Sequence, residues 1–176
     1  MKKIIITSLF LIVSCKEQQK QPQPEIKAAM ADETPVADQS EEAKKWLETS
    51  IEKFFKTDLS VMDLAMRDMT TKDYYEYKTD AANVDMDTDG SLTEKEFRQK
   101  WESKFNTEKA GTGVGFLISG QDWNEIKVSK CQFVSQNGNT YLFDIILEDK
   151  EYNAKYPVQV RVVKEKEGFR IADVFQ

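Results

Sequence analysis

Residues 85–96 are Asp-Met-Asp-Thr-Asp-Gly-Ser-Leu-Thr-Glu-Lys-Glu, and the predicted elements of the chain are arranged on either side of them. Carboxylates occupy every second position at the start, as Asp85, Asp87 and Asp89, and Glu96 closes the stretch. Gly90 can take the positive φ of a sharp bend because glycine has no Cβ. A hard divalent cation takes six to eight oxygen ligands, which alternating carboxylates and a distal carboxylate can supply. The sequence therefore predicts a metal-binding bend here.

This pattern resembles the twelve-residue calcium loop of EF-hand proteins and departs from it nowhere. The resemblance implies six metal-ligating residues, which are Asp85, Asp87, Asp89, Ser91, Thr93 and Glu96. By that resemblance, the aspartates give side-chain oxygens, Ser91 its backbone carbonyl, Thr93 a direct or water-mediated contact, and Glu96 two oxygens. The implied cofactor is Ca²⁺, and Mg²⁺ is the lesser alternative, because so many protein ligands suit the larger, less rigidly coordinated ion. The competing interpretation is an acidic turn that is solvated and binds no metal.

Apolar residues on both sides of this loop recur at three- and four-residue spacings, which is typical of helices. They are Tyr74, Tyr77, Ala81 and Val84 before the loop and Phe97, Trp101 and Phe105 after it. Thr70 and Asp73 have the spacing of a capping box for the first helix. The second helix is predicted from Thr93 to Phe105. The sequence thus predicts a helix-loop-helix over residues 70–106.

The composition excludes several kinds of site. The chain has 176 residues and no histidine, which excludes serine-histidine or cysteine-histidine catalytic pairs and histidine-ligated zinc or iron. Its net charge is −6, so the sequence gives no indication of a nucleic-acid partner. Of the two cysteines, Cys131 is predicted to be a small buried strand residue, because a catalytic thiol would lack a histidine partner.

The N-terminus is typical of an exported protein. Met1-Lys2-Lys3 is basic, and the apolar run from Ile4 to Val13 is too short to span a bilayer, as expected for a signal peptide. Residues 12–15, Ile-Val-Ser-Cys, resemble a bacterial lipobox, which implies that residues 1–14 are removed and that Cys15 is lipidated and anchors the chain to a membrane. An ordinary secretory signal with a chance cysteine is the alternative. Lys16 is not the aspartate that marks inner-membrane retention in many Gram-negative lipoproteins, so we expect the outer membrane of the cell envelope.

Residues 16–40 contain three of the four prolines and no aromatic residue, so residues 15–40 are predicted to be the lipidated cysteine and a flexible tether. Ordered structure is predicted to begin at Ser40, with a helix that ends near Thr57 and a second helix capped by Ser60 and Asp63. Methionines on this second helix are predicted to be core. The glycines of residues 111–115 interrupt all periodicity and predict a hinge, since a phosphate-binding loop would follow a strand and open a helix.

The pattern changes to alternation after Phe116, which predicts four strands. Their inward residues are Ile126, Val128, Cys131 and Phe133; Tyr141, Phe143, Ile145 and Leu147; Val158, Val160 and Val162; and Phe169, Ile171 and Val174. The parity changes near Ser129, which predicts a bulge. Asn137-Gly138 is a hairpin signal, and further turns are predicted at residues 151–154 and 167–168. Consecutive strands with short turns indicate an antiparallel meander covered by the helices on one face, hence a single α+β domain over residues 41–176.

Helices followed by a meander that ends in Gly-Phe-Arg-Ile-Ala-Asp-Val, residues 168–174, are similar to the cone-shaped NTF2-like fold. The resemblance implies a helix packed into a bent sheet, with the EF-hand as an insertion between helices and sheet. NTF2-like domains often hold a small molecule in the cone, and some are enzymes with an aspartate-histidine pair, which this chain lacks.

Three functions remain open. The first is a non-enzymatic, membrane-anchored calcium-binding protein that uses the ion as a structural clip, because one loop is visible whereas sensor EF-hands come in pairs. The second is a small-ligand binder or enzyme that uses the cone, with Asp122 or Asp144 as candidate acids. The third is a calcium-dependent interaction module, for which the sequence indicates no protein partner.

Overall fold

The chain forms its helices first and its sheet afterwards. The computed structural model describes residues 36–119 and 122–175, with side chains from Gln39 onward. The helices are α1 (Val36–Phe55), α2 (Met62–Met69), α3 (Lys72–Ala82) and α4 (Glu94–Trp101), with 3-10 turns at Leu59–Val61 and Thr107–Lys109. The strands are β1 (Ile126–Asn137), β2 (Thr140–Asp149), β3 (Ala154–Glu165) and β4 (Gly168–Phe175). The predicted α+β class is confirmed.

The predicted signal peptide, the predicted lipidation site at Cys15 and the tether up to residue 35 lie outside the described residues. In the part of the chain that the structure describes, no helix has both the length and the apolar character needed to cross a bilayer.

The four strands form one antiparallel sheet in the order β1-β2-β3-β4, as the alternation predicted. Asn137 pairs with Thr140, so Gly138 and Asn139 are the two turn residues. Gly138 has a φ of +58°, while the φ of Asn139 is not positive. A positive φ at the first central residue alone is the pattern of a type II′ turn, which favours glycine there. The predicted hairpin is thus confirmed, with Gly138 and Asn139 as its two turn residues.

Strand β1 is irregular at two places. The predicted bulge is confirmed between Val128 and Lys130, and a second register shift between Phe133 and Ser135 was not predicted. Cys131 is buried, and its burial raises the pKa of the thiol to about 12, so it is a protonated core residue as predicted. Phe133 is 41% exposed, so the prediction that it is an inward residue is wrong, and the second register shift begins at this residue.

The first two helices begin at different residues from those predicted. Helix α1 starts at Val36, ahead of the predicted start at Ser40. The predicted Ser60 and Asp63 cap is wrong, because Asp58 accepts the backbone N–H of Ser60 at 2.8 Å and begins the 3-10 turn instead. Asp63 accepts the hydroxyl of Tyr75 at 2.9 Å.

The core lies between the helices and the inward residues of the sheet. Met66 and Met69 are buried in it, so the prediction that the methionines are core is confirmed for these two. The inward residues of β2 are fully or almost fully buried, and so is Leu47 of α1. Each large apolar side chain buried in this way contributes about 1.5–3 kcal/mol to folding.

We predict that Gly138→Ala lowers the free energy of unfolding by about 1–2 kcal/mol, because an L-residue is strained at a left-handed φ. Steric crowding adds nothing to this loss of stability, since no atom lies within 4 Å of the added Cβ. Gly115→Ala is the matched control, because its φ is not positive and its Cβ would lie 3.5 Å from the carbonyl oxygen of Ile118, an ordinary contact. Urea denaturation of both variants is the measurement. Equal losses in the two variants would contradict the strained turn.

Candidate metal centre

Helix α3, which precedes the acidic loop, is fastened to the sheet at its start. Thr71 is the N-cap, and its hydroxyl accepts the backbone N–H of Tyr74 at 3.3 Å. The backbone N–H of Thr71 donates to the carbonyl of Ile171 in β4 at 2.8 Å. The predicted cap at Thr70 is therefore one residue early, because the hydroxyl of Thr70 donates back to the Met66 carbonyl at 2.8 Å. The predicted partner of that cap, Asp73, instead forms a salt bridge with Lys104 at 2.8 Å.

Aromatic packing joins α3 to α4 across the loop. The ring of Tyr77 stacks on Phe97 at 5.5 Å and on Phe105 at 4.2 Å, and it meets Trp101 edge-on at 5.7 Å. Helix α4 ends at Trp101, short of the predicted end at Phe105, yet Phe105 remains in this cluster. The apolar residues predicted on the two sides of the loop thus pack against each other in one aromatic cluster.

Asp80 adds a polar bond between the same two helices. Its Oδ2 accepts the indole N–H of Trp101 at 2.7 Å and pairs with the ammonium of Lys100 at 2.7 Å. Charge-assisted bonds of this length are stronger than neutral ones. The sequence patterns did not indicate Asp80, because it is a polar residue on a helix without a motif of its own.

The two ends of the loop are held together by its backbone. The N–H of Asp85 donates to the carbonyl of Leu92 at 3.0 Å, and Oδ1 of Asp85 accepts the N–H of Glu94 at 3.3 Å. Asp85 has a φ of +56°, a conformation that aspartate tolerates better than most residues. Gly90 has a φ of +87°, so the residue predicted to allow the bend does adopt a left-handed conformation.

The last two predicted ligands form a capping box at the start of α4. The hydroxyl of Thr93 accepts the N–H of Glu96 at 3.3 Å, and Oε2 of Glu96 accepts the hydroxyl and the N–H of Thr93 at 2.7 and 2.9 Å. These bonds, the hydroxyl first, hold the pKa of Glu96 below its usual value. Glu96 is therefore ionised at neutral pH, and its carboxylate is bonded to Thr93, the N-cap residue of α4.

The remaining predicted ligands lie on the outer part of the loop. Asp87 and Asp89 are exposed, and the Ser91 hydroxyl donates to the carbonyls of Met86 and Thr88. Over residues 36–119 and 122–175, no three carboxylate or thiol side chains are gathered in a way that could hold a metal ion. The structure thus joins Thr93 to Glu96 through the capping box and Asp85 to the backbone of Glu94, while Asp87 and Asp89 are exposed.

The residue types and the bend of the loop fit Ca²⁺. All six predicted ligands offer oxygen, which calcium prefers, and the loop is open to solvent along its acidic part. The capping box is the contact that opposes binding, because Glu96 gives its Oε2 to Thr93. That cost is modest, since a helix N-cap contributes about 1 kcal/mol.

Lys78 connects α3 to the glycine-rich segment that follows α4. Its ammonium donates to the carbonyls of Ala110 and Gly111 at 2.8 and 3.1 Å, and the N–H of Gly113 donates to the carbonyl of Ala81 at 2.9 Å. Burial lowers the pKa of Lys78 to about 8. Its spacing from Tyr74 and Ala81 places it on the buried face of α3, which the sequence could have indicated.

Two aspartates considered as candidate acids have ordinary surroundings. Asp122 is exposed, and so is Asp144, which accepts the side-chain amide of Gln159 at 2.8 Å. Asp173 of β4 was not predicted and is 3% exposed. Burial raises the pKa of Asp173 to about 6, although Arg161 lies 3.1 Å away, so the loss of hydration outweighs the ion pair.

Comparison of the chain with protein-family models, with curated proteins and with solved structures finds no match. Calcium binding by the loop therefore stays a prediction from its residue types.

We predict that the stability of the wild type relative to Lys78→Met rises between pH 8 and pH 10, by up to about 1.4 kcal/mol per pH unit, because the comparison cancels the opposite contribution of the buried Cys131 thiol. The folded protein loses the Lys78 proton near pH 8, whereas the unfolded chain keeps it to about 10.5. At Lys78 the unfolded state therefore binds more protons in this window, so this side chain makes unfolding less favourable as the pH rises. Lys45→Met, on the exposed face of α1, is the control and should follow the wild type. Urea denaturation at several pH values measures the slope, and equal slopes in wild type and Lys78→Met would contradict the prediction.

Proposed function

We propose that this chain is a non-enzymatic calcium-binding lipoprotein of the bacterial cell envelope, in which Ca²⁺ at residues 85–96 acts as a structural clip between α3 and α4. The ligands would be the side chains of Asp85, Asp87, Asp89, Thr93 and Glu96 and the carbonyl of Ser91. The observation that supports this is a complete set of oxygen ligands between two helices that already pack against each other. The bound ion would offset the mutual repulsion of the acidic side chains.

A structural role is favoured over a sensing role by the packing of α3 and α4. Tyr77 lies 4.2 Å from Phe105 and 5.5 Å from Phe97, ring centre to ring centre, and Asp80 bonds to Trp101. Sensor EF-hands open a helix pair and expose an apolar groove. Opening this pair would break the aromatic stack and the charge-assisted bond together. Calcium would therefore stabilise the arrangement that these contacts define.

The capping box gives the Glu96 carboxylate bonding partners in the metal-free loop as well as in the proposed metal-bound loop. Without the ion, its carboxylate accepts two bonds from Thr93 and begins α4. With the ion, the same carboxylate would supply the distal ligand that EF-hand loops require. The start of α4 is thus retained while the bonding partner of Glu96 changes.

The predicted export of the chain is consistent with calcium as a structural ion. The signal peptide of residues 1–14 and the lipobox at Cys15 would place the protein outside the cytoplasm, in the outer membrane, where an affinity of ~10⁻⁴ to 10⁻³ M suffices. At a free calcium concentration about tenfold above the dissociation constant, binding adds ~1.4 kcal/mol to stability. Helices followed by an antiparallel meander support the proposed NTF2-like domain, which would carry the α3-loop-α4 unit as an insertion.

Isothermal titration of the chain from Lys16 onward with CaCl₂ tests the site. We expect binding heat from the wild type and its loss in Asp85→Asn and in Glu96→Gln. Glutamine at this position keeps the capping box, so Glu96→Gln removes a ligand charge and leaves α4 intact. Glu94→Gln is the matched control, because it removes an exposed carboxylate from the same turn that is paired with Arg98.

Thermal unfolding with and without a chelator tests the structural role. Calcium should raise the Tm of the wild type by several degrees and leave Glu96→Gln unchanged. Undiminished heat in both ligand variants would place the ion elsewhere, and an unchanged wild-type Tm on chelation would reject the clip.

A further inference from the structure

A cavity of about 370 Å³ lies between α1, α2 and β4, and none of its lining residues belongs to the acidic loop. Its apolar lining residues are Trp46, Phe54, Val61, Leu64, Ala65 and Met69. The volume falls within the ~300–1,000 Å³ of small-molecule sites, which are mostly apolar with a few polar groups that orient the ligand. The cavity is therefore large enough for a small organic molecule.

Two cationic side chains, Lys53 and Arg170, line this cavity. Among the residues that the structure describes, neither is in a salt bridge with a carboxylate, whereas Arg161 pairs with Asp173. Nη1 of Arg170 donates to the carbonyl of Phe169 at 3.0 Å, which fixes one side of the guanidinium. Its other donors remain suited to a planar anion such as a carboxylate.

Asp68 also lines the cavity, so the local balance is two positive charges against one negative. This local excess stands out on a chain whose net charge is −6. One anionic group would balance it, whereas a dianion would meet the repulsion of Asp68. The charges thus favour a ligand with one carboxylate.

The apolar surface continues at the mouth of the cavity. Val61 and Leu64 are each 45% exposed, and Leu59, on the same 3-10 turn as Val61, is 75% exposed. On the inner side, Trp46 packs against Phe169 at 5.9 Å and Phe54 against Phe55 at 5.2 Å, so the wall is held by the core. An apolar tail could run from the inner wall to this exposed turn.

We propose that this cavity binds a small amphiphile with one carboxylate and one apolar tail, its carboxylate at Lys53 and Arg170 and its tail along Trp46, Phe54 and Leu64. A free amphiphile is favoured over a bilayer surface, because a chain of net charge −6 is repelled by anionic lipids while a single anion meets two local cations. The site is separate from the calcium loop and does not depend on it.

Octanoate is the probe. Octanol, which lacks the charge, and acetate, which lacks the apolar tail, are the matched ligands. Titrations of the chain from Lys16 onward are followed by ¹H–¹⁵N NMR at the indole N–H of Trp46. We expect saturable binding of octanoate, with octanol and acetate weaker by about tenfold or more, because each lacks one of the two contacts. Octanol that binds as tightly as octanoate, or no saturation at Trp46, would overturn the proposal.

Variants locate the carboxylate and the tail. Lys53→Met and Arg170→Met should each weaken octanoate about tenfold and leave octanol unchanged. Lys53 is exposed, so its variant keeps the proposal testable if Arg170→Met fails to fold. Lys45→Met is the control on the same helix and should bind as the wild type. Ala65→Leu fills the cavity and should abolish binding of both ligands.

Asp68→Asn gives the sharpest result, because removing the one repelling charge should tighten octanoate severalfold. Weaker octanoate binding in this variant would show that Asp68 supports the head-group contact and does not repel it, which would overturn the proposal. Stronger binding to phosphatidylglycerol vesicles than to octanoate would assign the surface to a bilayer instead. Octanoate binding should persist with a chelator, so failure of the calcium site and failure of this site are distinguishable.

Discussion

Tyr77 lies between α3 and α4, with its ring centre 4.2 Å from that of Phe105 and 5.5 Å from that of Phe97. This packing sets the distance between the helix ends that the acidic loop must bridge. The loop therefore does not need to hold the helices together and can carry carboxylates that repel one another. Aromatic pairs of this kind contribute about 0.5–1.5 kcal/mol beyond their burial, which is comparable to what an ion at moderate saturation adds. The stack thus supplies the frame, and a cation in the loop would reinforce it.

Helix α3, which carries Tyr77, is anchored to the rest of the fold at both ends. At its start, the N–H of Thr71 bonds to Ile171 of β4 at 2.8 Å. Toward its end, Lys78 is 2% exposed and donates to Ala110 and Gly111. Burying an ammonium costs stability unless its donors are satisfied, and two carbonyls at these distances supply much of what water would. The glycine segment predicted to be a hinge is thereby fixed to the end of α3 that leads into the acidic loop.

Local sequence patterns predicted the helices and strands more accurately than the residues at which they begin and end. Alternation identified the inward residues of β2, β3 and β4, because one buried face imposes a period of two on the sequence, but it failed at Phe133, where the register of β1 shifts. The caps were misassigned where neighbouring residues compete: Thr70 and Thr71 can both cap a helix, and only the bond of Thr71 to Ile171, a contact distant in sequence, decides between them. The six candidate ligands of the loop follow a local pattern, so the sequence predicts them as a set, and metal binding by them stays a prediction. The cavity at Lys53 and Arg170 joins residues far apart in the chain, so no local pattern could have indicated it.

A chain of aromatic contacts runs through the core between the cavity and the helix that precedes the acidic loop, the two places where ligands are proposed. Phe54, which lines the cavity, lies 5.1 Å from Phe116, Phe116 lies 6.3 Å from Tyr74, and Tyr74 lies 6.0 Å from Tyr77. Such continuity is not itself coupling, because one ligand changes the affinity of another only through two conformations that both ligands distinguish. The tight stack at Tyr77 and the anchored ends of α3 favour one arrangement of these helices. Ligands at the two sites should therefore stabilise the same native state additively, each by its own occupancy, without altering the other's affinity.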